Sequence, residues 1–216
     1  MGEKLKFLVV DDHPIFRQGL IALLESDERY RVCAEAGTVP DALASFERER
    51  PDMVLLDISL GDRNGFELLR SFWNERPDIP VLVISIHDEA VYAERALRAH
   101  ARGYLMKQEA SSVLKEAITT ILAGKIFVSP AFRERMIEGL SAAPRESSRA
   151  SVSQFSDREL EVLERLGRGY SAKEIGSELG IAVKTVGVYL DHIKKKLGLD
   201  SISQLRKYAI SWVQSS

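Results

Sequence analysis

The sequence predicts an α/β fold, a doubly wound parallel sheet of five βα units, followed by a second, smaller all-α module. Two observations predict it. Short apolar runs, Phe7–Val10, Met53–Leu56, Val81–Ile84 and Gly103–Met106, alternate with stretches of helical periodicity up to residue 123. Strands buried on both faces of a parallel sheet read as such continuous runs. Beyond residue 153 the apolar spacing is helical throughout.

Each apolar run ends in a polar residue: Asp11-Asp12, Asp57, Ser85 and Lys107 respectively. Arg31-Val32-Cys33-Ala34 supplies the remaining strand, with Cys33 as a small strand hydrophobe, since a single cysteine forms no internal disulfide. Helices are expected near 13–26, 40–50, 65–76, 89–100 and 110–123, the second with the weakest pattern. Right-handed crossovers then place the ligand site beyond the carboxyl ends of the strands, where strand order reverses beside the first strand. Three carboxylates, a hydroxyl and an ammonium converge there.

Ser129-Pro130 opens a short helix over 131–140, and Ser141 to Ser153 lacks apolar periodicity, as a flexible tether does. Thirteen such residues span about 20 Å r.m.s., so the flanking domains can both touch and separate. The expected division is 1–125, 126–153 as linker with a short helix, and 154–216.

In the last part Ser156-Asp-Arg-Glu159, Ser171-Ala-Lys-Glu174 and Ser201-Ile-Ser-Gln204 match capping boxes, which mark three helix starts. Val186, Leu190, Ile193 and Leu197 form the buried stripe of a further helix, joined to its predecessor through Leu179-Gly180-Ile181-Ala182. This is helix-turn-helix spacing.

The net charge of −2 divides unevenly: residues 151–216 hold ten Lys/Arg against eight Asp/Glu, or +2, which leaves −4 for the rest. So slight a basic excess does not by itself indicate nucleic acid. No apolar run approaches the roughly 18 to 20 residues of a membrane span, and the N-terminus leads into the first strand without a secretory signal. Lys6 also argues against myristoylation of Gly2. A cytoplasmic protein is expected, without a membrane partner.

Mg²⁺ takes hard oxygen ligands, commonly one or two carboxylates with waters and phosphate, and Asp11, Asp12 and Asp57 suit it. Three carboxylates about 4 Å apart repel by about 4 kcal/mol per pair at an effective dielectric of 20 unless a cation sits among them. Asp57 stands alone at its strand end, and an aspartate is a competent nucleophile toward phosphorus, so it is the expected phosphoacceptor. Lys107 would neutralise one phosphoryl oxygen and Ser85 donate to another.

Val10-Asp11-Asp12-His13-Pro14, Leu56-Asp57-Ile58-Ser59-Leu60 with Gly65, Ile84-Ser85 and Ala101-Arg-Gly-Tyr-Leu-Met-Lys107 resemble the receiver domain of two-component response regulators. The resemblance implies a flavodoxin-like (βα)5 fold. It also implies a cognate sensor histidine kinase that phosphorylates Asp57 with Mg²⁺ held by Asp11, Asp12 and Asp57, and a switch in which Ser85 moves toward the phosphoryl group and Tyr104 turns inward. Gly61 stands where the family usually has Pro, and His100 where it usually has Gly. Ser59 and His87 fall where the family tunes acyl-phosphate lifetime.

Residues 154–213 resemble the LuxR-type helix-turn-helix domain of the NarL/FixJ branch, through Phe155-Ser-Asp-Arg-Glu-Leu-Glu-Val-Leu163, Gly169-Tyr-Ser-Ala-Lys-Glu-Ile175, Leu179-Gly-Ile181, Lys184-Thr-Val186 and Ile193-Lys-Lys-Lys-Leu-Gly198. Lys173, Lys184, Thr185, Lys194 and Lys195 would then hold DNA phosphates, and the alignment implies Gly187, Val188 and Asp191 as groove-facing positions. Tyr189 replaces a frequent His of the family. Ala182 in place of a Ser cap costs about 1 kcal/mol, and Gly187 in mid-helix about another. Weak monomer binding follows, so two-fold dimers are expected, with Leu205, Tyr208, Ala209 and Trp212 of the last helix as the dimer face.

Together these features predict a phosphorylation-switched regulator of transcription that binds double-stranded operator DNA as a homodimer, with RNA polymerase as a further partner, and not an enzyme beyond its own phosphotransfer. The resting receiver would mask the reading helix, as the family implies. The rival reading is a phosphate-sink or partner-binding receiver with a weakened DNA arm. A phosphatase resembling the haloacid dehalogenases is disfavoured, because Ser59 stands where their second Asp would be.

Overall fold

Four of the apolar runs and Tyr30–Ala36 become one parallel sheet in the computed structural model of the chain, which describes residues 3–60, 63–141 and 155–215. Gly2, Gly61 and residues 142–153 of the tether lie outside the described residues. Two units are present, 1–137 and 138–216. Among the described residues no helix is long and apolar enough to cross a membrane.

In the first unit the strands are β1 (Leu5–Val10), β2 (Tyr30–Ala36), β3 (Met53–Leu56), β6 (Val81–Ser85) and β7 (Gly103–Met106), ordered β2-β1-β3-β6-β7. Strand order reverses at β1, as expected. Register then sets the site. Val10 pairs with Leu56, and the Asp57 N–H donates to the Val10 carbonyl at 2.8 Å, so Asp11 and Asp57 emerge side by side. Ser85 pairs with Met106, which brings Lys107 to the same edge.

Helices α1 (Pro14–Glu25), α2 (Val39–Glu49), α3 (Gly65–Glu75), α4 (Glu89–Arg98) and α5 (Ala110–Leu122) connect the strands. Their starts follow local chemistry. Pro14 occupies the first turn of α1, where its missing N–H is harmless, while Thr38 and Asp88 accept from Asp41 N (3.3 Å) and Ala90 N (2.7 Å) as side-chain caps. One core cluster joins Phe7, Val9, Leu24, Leu55, Leu82, Leu114 and Ile118.

Three features were not expected. A two-stranded hairpin, β4 (Ser59–Leu60) with β5 (Arg63–Asn64), follows Asp57 and returns the chain to Gly65, whose N–H donates to the Ile58 carbonyl at 3.2 Å. His100 adopts φ +75°, the left-handed conformation its family's glycine would take without strain, and its ring stacks on Trp73 with centroids 3.8 Å apart. Third, Phe127 bridges to Gly103 at the sheet edge: Tyr104 N–H donates to the Phe127 carbonyl at 2.9 Å, and Phe127 N–H to that of Arg102 at 3.0 Å. The buried Glu89 carboxylate accepts the Ser129 N–H at 2.8 Å, and Ser129 Oγ accepts that of Phe132 at 3.1 Å, starting α6 (Pro130–Ser141).

The second unit contains α7 (Asp157–Gly167), α8 (Ala172–Leu179), α9 (Val183–Lys196) and α10 (Ile202–Ser215). All three capping boxes form reciprocally, the last through Gln204 N to Ser201 Oγ and Ser201 N to Gln204 Oε1, both at 3.2 Å. Gly180 ends α8 at φ +65° and makes the turn into α9. Val186, Leu190 and Ile193 are buried, as are Leu160, Leu163, Ile175, Leu205 and Ala209, which form the core of this unit.

A methyl group at position 65 would meet the Ile58 carbonyl oxygen at 2.7 Å, and that backbone is pinned between Asp57 and the hairpin. Gly65→Ala is therefore expected to cost about 1–3 kcal/mol by overpacking. Thermal unfolding with probes in each unit should show the loss in residues 1–137 and an unchanged second transition.

Candidate functional site

Beyond β1, β3 and β7 the side chains of Asp11, Asp57 and Lys107 are almost wholly buried, with Asp12 and His13 at the mouth. The Lys107 ammonium lies 2.7 Å from Oδ2 of Asp11 and 2.7 Å from Oδ2 of Asp57, and 4.5 Å from the centre of the Phe16 ring. Both Oδ2 atoms are buried and face the same space, with the Lys107 ammonium beside them. The other oxygens are committed: Asp11 Oδ1 accepts from His13 N and Asp57 Oδ1 from Ser59 N, each at 2.8 Å.

One ammonium does not balance this many carboxylates. Burial pushes the Asp57 carboxyl up to about 6, with Asp11 adding to the rise and Lys107 opposing it. Near pH 7 Asp57 is thus mostly ionised and a usable nucleophile. Ligand atoms of Asp11, Asp12, His13 and Asp57 all lie within 4.8 Å of one another. Buried oxygens with spare lone pairs and surplus negative charge fit a hard divalent cation such as Mg²⁺. His13 was read in sequence as part of a motif only. Its position directly after Asp11-Asp12 was the available signal.

Ser85 is fully buried, and its Oγ accepts the His87 N–H at 3.2 Å. Tyr104 faces inward, with no exposed surface, and its hydroxyl donates to the His87 carbonyl at 2.9 Å. His87, two residues beyond Ser85, is buried and stacks on Tyr92 with centroids 4.5 Å apart. Ser59 is half-buried beside Asp57.

In the second unit, α9 presents two opposite faces. Val186, Leu190 and Ile193 point inward, whereas Lys184, Thr185, Val188, Asp191 and Lys195 form an exposed stripe. The α9 start has no side-chain cap at Ala182, and a Cβ on Gly187 would meet nothing within 4 Å. Asp191 is held by Lys194 at 3.1 Å, while Tyr189 is half-buried. Lys173 on α8 is exposed. Lys196 instead turns to the α7 capping residue Glu159 at 2.5 Å. Burial works to raise that carboxyl, but the bonds from Lys196 and Ser156 outweigh it and hold it below its usual range. His192, exposed on α9, was not singled out in sequence.

Leu205, Ala209 and Trp212, expected at a dimer face, are buried within the described unit, and Tyr208 is half-buried. The outward side of α10 carries Ile202, Arg206 and Ile210.

Comparison with known proteins matches residues 7–119 to the response regulator receiver domain and residues 153–209 to the bacterial regulatory proteins of the luxR family. The chain is 32% identical to the DNA-binding transcriptional activator DevR/DosR of Mycobacterium tuberculosis, over 95% of this chain and 94% of that protein. It is 30% identical to the transcriptional regulatory protein DegU of Brevibacillus brevis, over 93% and 91%. Among solved structures, a LuxR-family two-component response regulator from Aurantimonas sp. is 31% identical with a TM-score of 0.60, covering 65% of this chain and all of that one.

The raised Asp57 carboxyl has a stability consequence. Its folded value, about 6, exceeds the ordinary 3.8, so the folded state binds more protons between those limits and its stability falls as pH rises through them. In cation-free protein, Asp57→Asn is expected to raise stability by about 1–3 kcal/mol at pH 7.5 and to change little near pH 4. Denaturant titrations at the two pH values check both parts.

Proposed function

Because this chain belongs to the response regulators that join a receiver domain to a LuxR-type DNA-binding domain, we propose that Asp57 is its phosphoacceptor and that phosphorylation drives dimeric binding to operator DNA. The observation that carries this is the convergence of Asp57, Asp11 and Lys107 within 2.7 Å contacts at one sheet edge. The donor is the phosphohistidine of a sensor kinase. An Asp57 carboxylate oxygen attacks phosphorus in line, the P–N bond breaks, and its electron pair returns to the imidazole, leaving an acyl phosphate on Asp57. Mg²⁺, held by Asp11, Asp12 and Asp57, supplies charge neutralisation on the phosphoryl oxygens when bound.

Lys107 is already placed to pair with a phosphoryl oxygen, and the Ser85 hydroxyl donates to another once it turns from His87 N–H. Phosphorylation adds about −1.5 to −2 charges. Moving a two-state equilibrium from 1:99 to 99:1 takes about 5.5 kcal/mol, whereas each charge-assisted bond contributes about 1.5–3. Dimerisation therefore supplies part of the bias. The outward side of α10, at Ile202, Arg206 and Ile210, meets the partner, with Leu205, Tyr208, Ala209 and Trp212 fixing that helix from within.

The exposed stripe of α9 enters the major groove. Lys173, Lys184, Thr185 and Lys195 hold phosphates, Val188 packs on a thymine methyl, and Gly187 lets backbone approach. The Asp191 carboxylate accepts from a cytosine amine after release from Lys194. Tyr189 packs at the rim. The protein acts in the cytoplasm, on transcription by RNA polymerase, and its only catalysis is its own phosphotransfer and dephosphorylation. The receiver is assigned as 1–125 together with the edge segment to Phe132 that is bonded to it, the rest of 126–153 as the linker and 154–216 as the DNA-binding domain.

Selection of duplexes from a random pool, with and without Mg²⁺ and acetyl phosphate, tests this. Wild type is expected to enrich a two-fold motif, with half-sites about 10 base pairs apart, only with the phosphodonor; Asp57→Asn should enrich nothing. Lys195→Ala should weaken binding to all sequences and lower the salt slope by about one, while Val188→Ala changes base preference. A phosphorylated protein without enrichment would favour the partner-binding receiver instead.

A further inference from the structure

The imidazole of His13 neither caps α1 nor contributes to the core, and the groups nearest its Nδ1 are the carboxylates of the acidic pocket. It occupies the position before α1 without making a side-chain cap bond, and 59% of the side chain is exposed, so it builds no core. Its backbone is nevertheless fixed. The His13 N–H donates to Asp11 Oδ1 at 2.8 Å, the backbone is extended at φ −92° and ψ 103°, and Pro14 restricts it to that region. The side chain is thereby delivered to the mouth of the acidic pocket.

Its Nδ1 lies 2.7 Å from Asp12 Oδ1, 3.3 Å from Asp11 Oδ1 and 4.0 Å from Asp57 Oδ2. An octahedral cation with bonds of about 2.1 Å sets adjacent ligand atoms about 3.0 Å apart and opposite ones about 4.2 Å apart. The three distances from Nδ1 fall in the range of adjacent and opposite ligands, and the ligand atoms of all four residues lie within 4.8 Å of one another, so a small closing movement would gather them round one ion. Asp11 Oδ2 and Asp57 Oδ2 are buried beside the same space and carry more negative charge than the one Lys107 ammonium balances, so the pocket has oxygen to share with such a centre.

We propose that His13 is a ligand of the cation site and sets its metal preference toward borderline first-row divalent ions such as Ni²⁺, with the harder Mn²⁺ favoured less. This rests on the reading of Asp11, Asp12 and Asp57 as a cation site. Carboxylate and water suit Mg²⁺, whereas imidazole nitrogen favours the transition ions, in rising order from Mn²⁺ to Ni²⁺. Three carboxylates alone would bind Mg²⁺ adequately; a nitrogen donor widens the gap between the two classes.

The test is calorimetric titration of untagged full-length protein with MgCl₂, MnCl₂ and NiCl₂, in wild type, His13→Ala, His13→Gln and Asp57→Asn. Removal of the imidazole is expected to weaken Ni²⁺ at least about 10-fold and Mn²⁺ less, with Mg²⁺ changing less than about 3-fold. Far-UV circular dichroism checks that each variant is folded. Equal losses for all three ions, or none, would overturn the role of His13 while leaving the cation site standing. Mg²⁺ binding that ignores Asp57→Asn would instead remove the site on which the proposal rests. Copper(II) electron paramagnetic resonance gives an independent readout: nitrogen coupling present in wild type and lost in His13→Ala supports the ligand, and identical spectra refute it.

Discussion

Charge crowding at one sheet edge is the constraint around which the N-terminal unit is arranged. Asp11 and Asp57 lie side by side because β1 and β3 are neighbours in register, and a single ammonium, from Lys107, reaches both at 2.7 Å. Removing that ammonium would leave two buried carboxylates facing each other, at a cost of several kcal/mol. The remaining negative charge keeps the site receptive to a cation, while burial, opposed by Lys107, sets the Asp57 carboxyl at about 6, low enough to be ionised near neutrality.

What lies beyond the pocket is connected to it through the backbone of His87, which bonds Ser85 on one side and the Tyr104 hydroxyl on the other. Ser85 Oγ accepts from His87 N, and the His87 carbonyl accepts from the Tyr104 hydroxyl. Tyr104 N in turn donates to Phe127. A displacement of Ser85 therefore meets a loop already held from two sides. In the other unit the opposition of faces on α9 does similar work: burying Val186, Leu190 and Ile193 obliges Lys184, Val188, Asp191 and Lys195 to face outward.

The sheet and its five helices were legible because hydrophobic runs and their polar endings are local signals, and so were three of the four helix starts of the second unit, where Ser and Glu or Gln three residues apart name the first turn. Strand-end position also located Asp57 and Lys107, since parallel β-strands share one carboxyl edge. Other features depend on partners distant in sequence. The hairpin at 59–64 is too short for periodicity to register. The inward turn of His87 onto Tyr92 depends on packing between a loop and a helix. For α10 the apolar stripe was correctly located, but a core and a dimer contact look alike in sequence, and the stripe is buried within its own unit.

The edge segment around Phe127 bears on how such a receiver is recombined with other output modules over evolution. A splice between residues 125 and 126 would strip the Tyr104 N–H and the Arg102 carbonyl of their partners and strand the buried carboxylate of Glu89. Gene fusions that keep the signalling body whole must therefore join after Phe132, so the first turn of α6 is inherited with the receiver whatever module follows it.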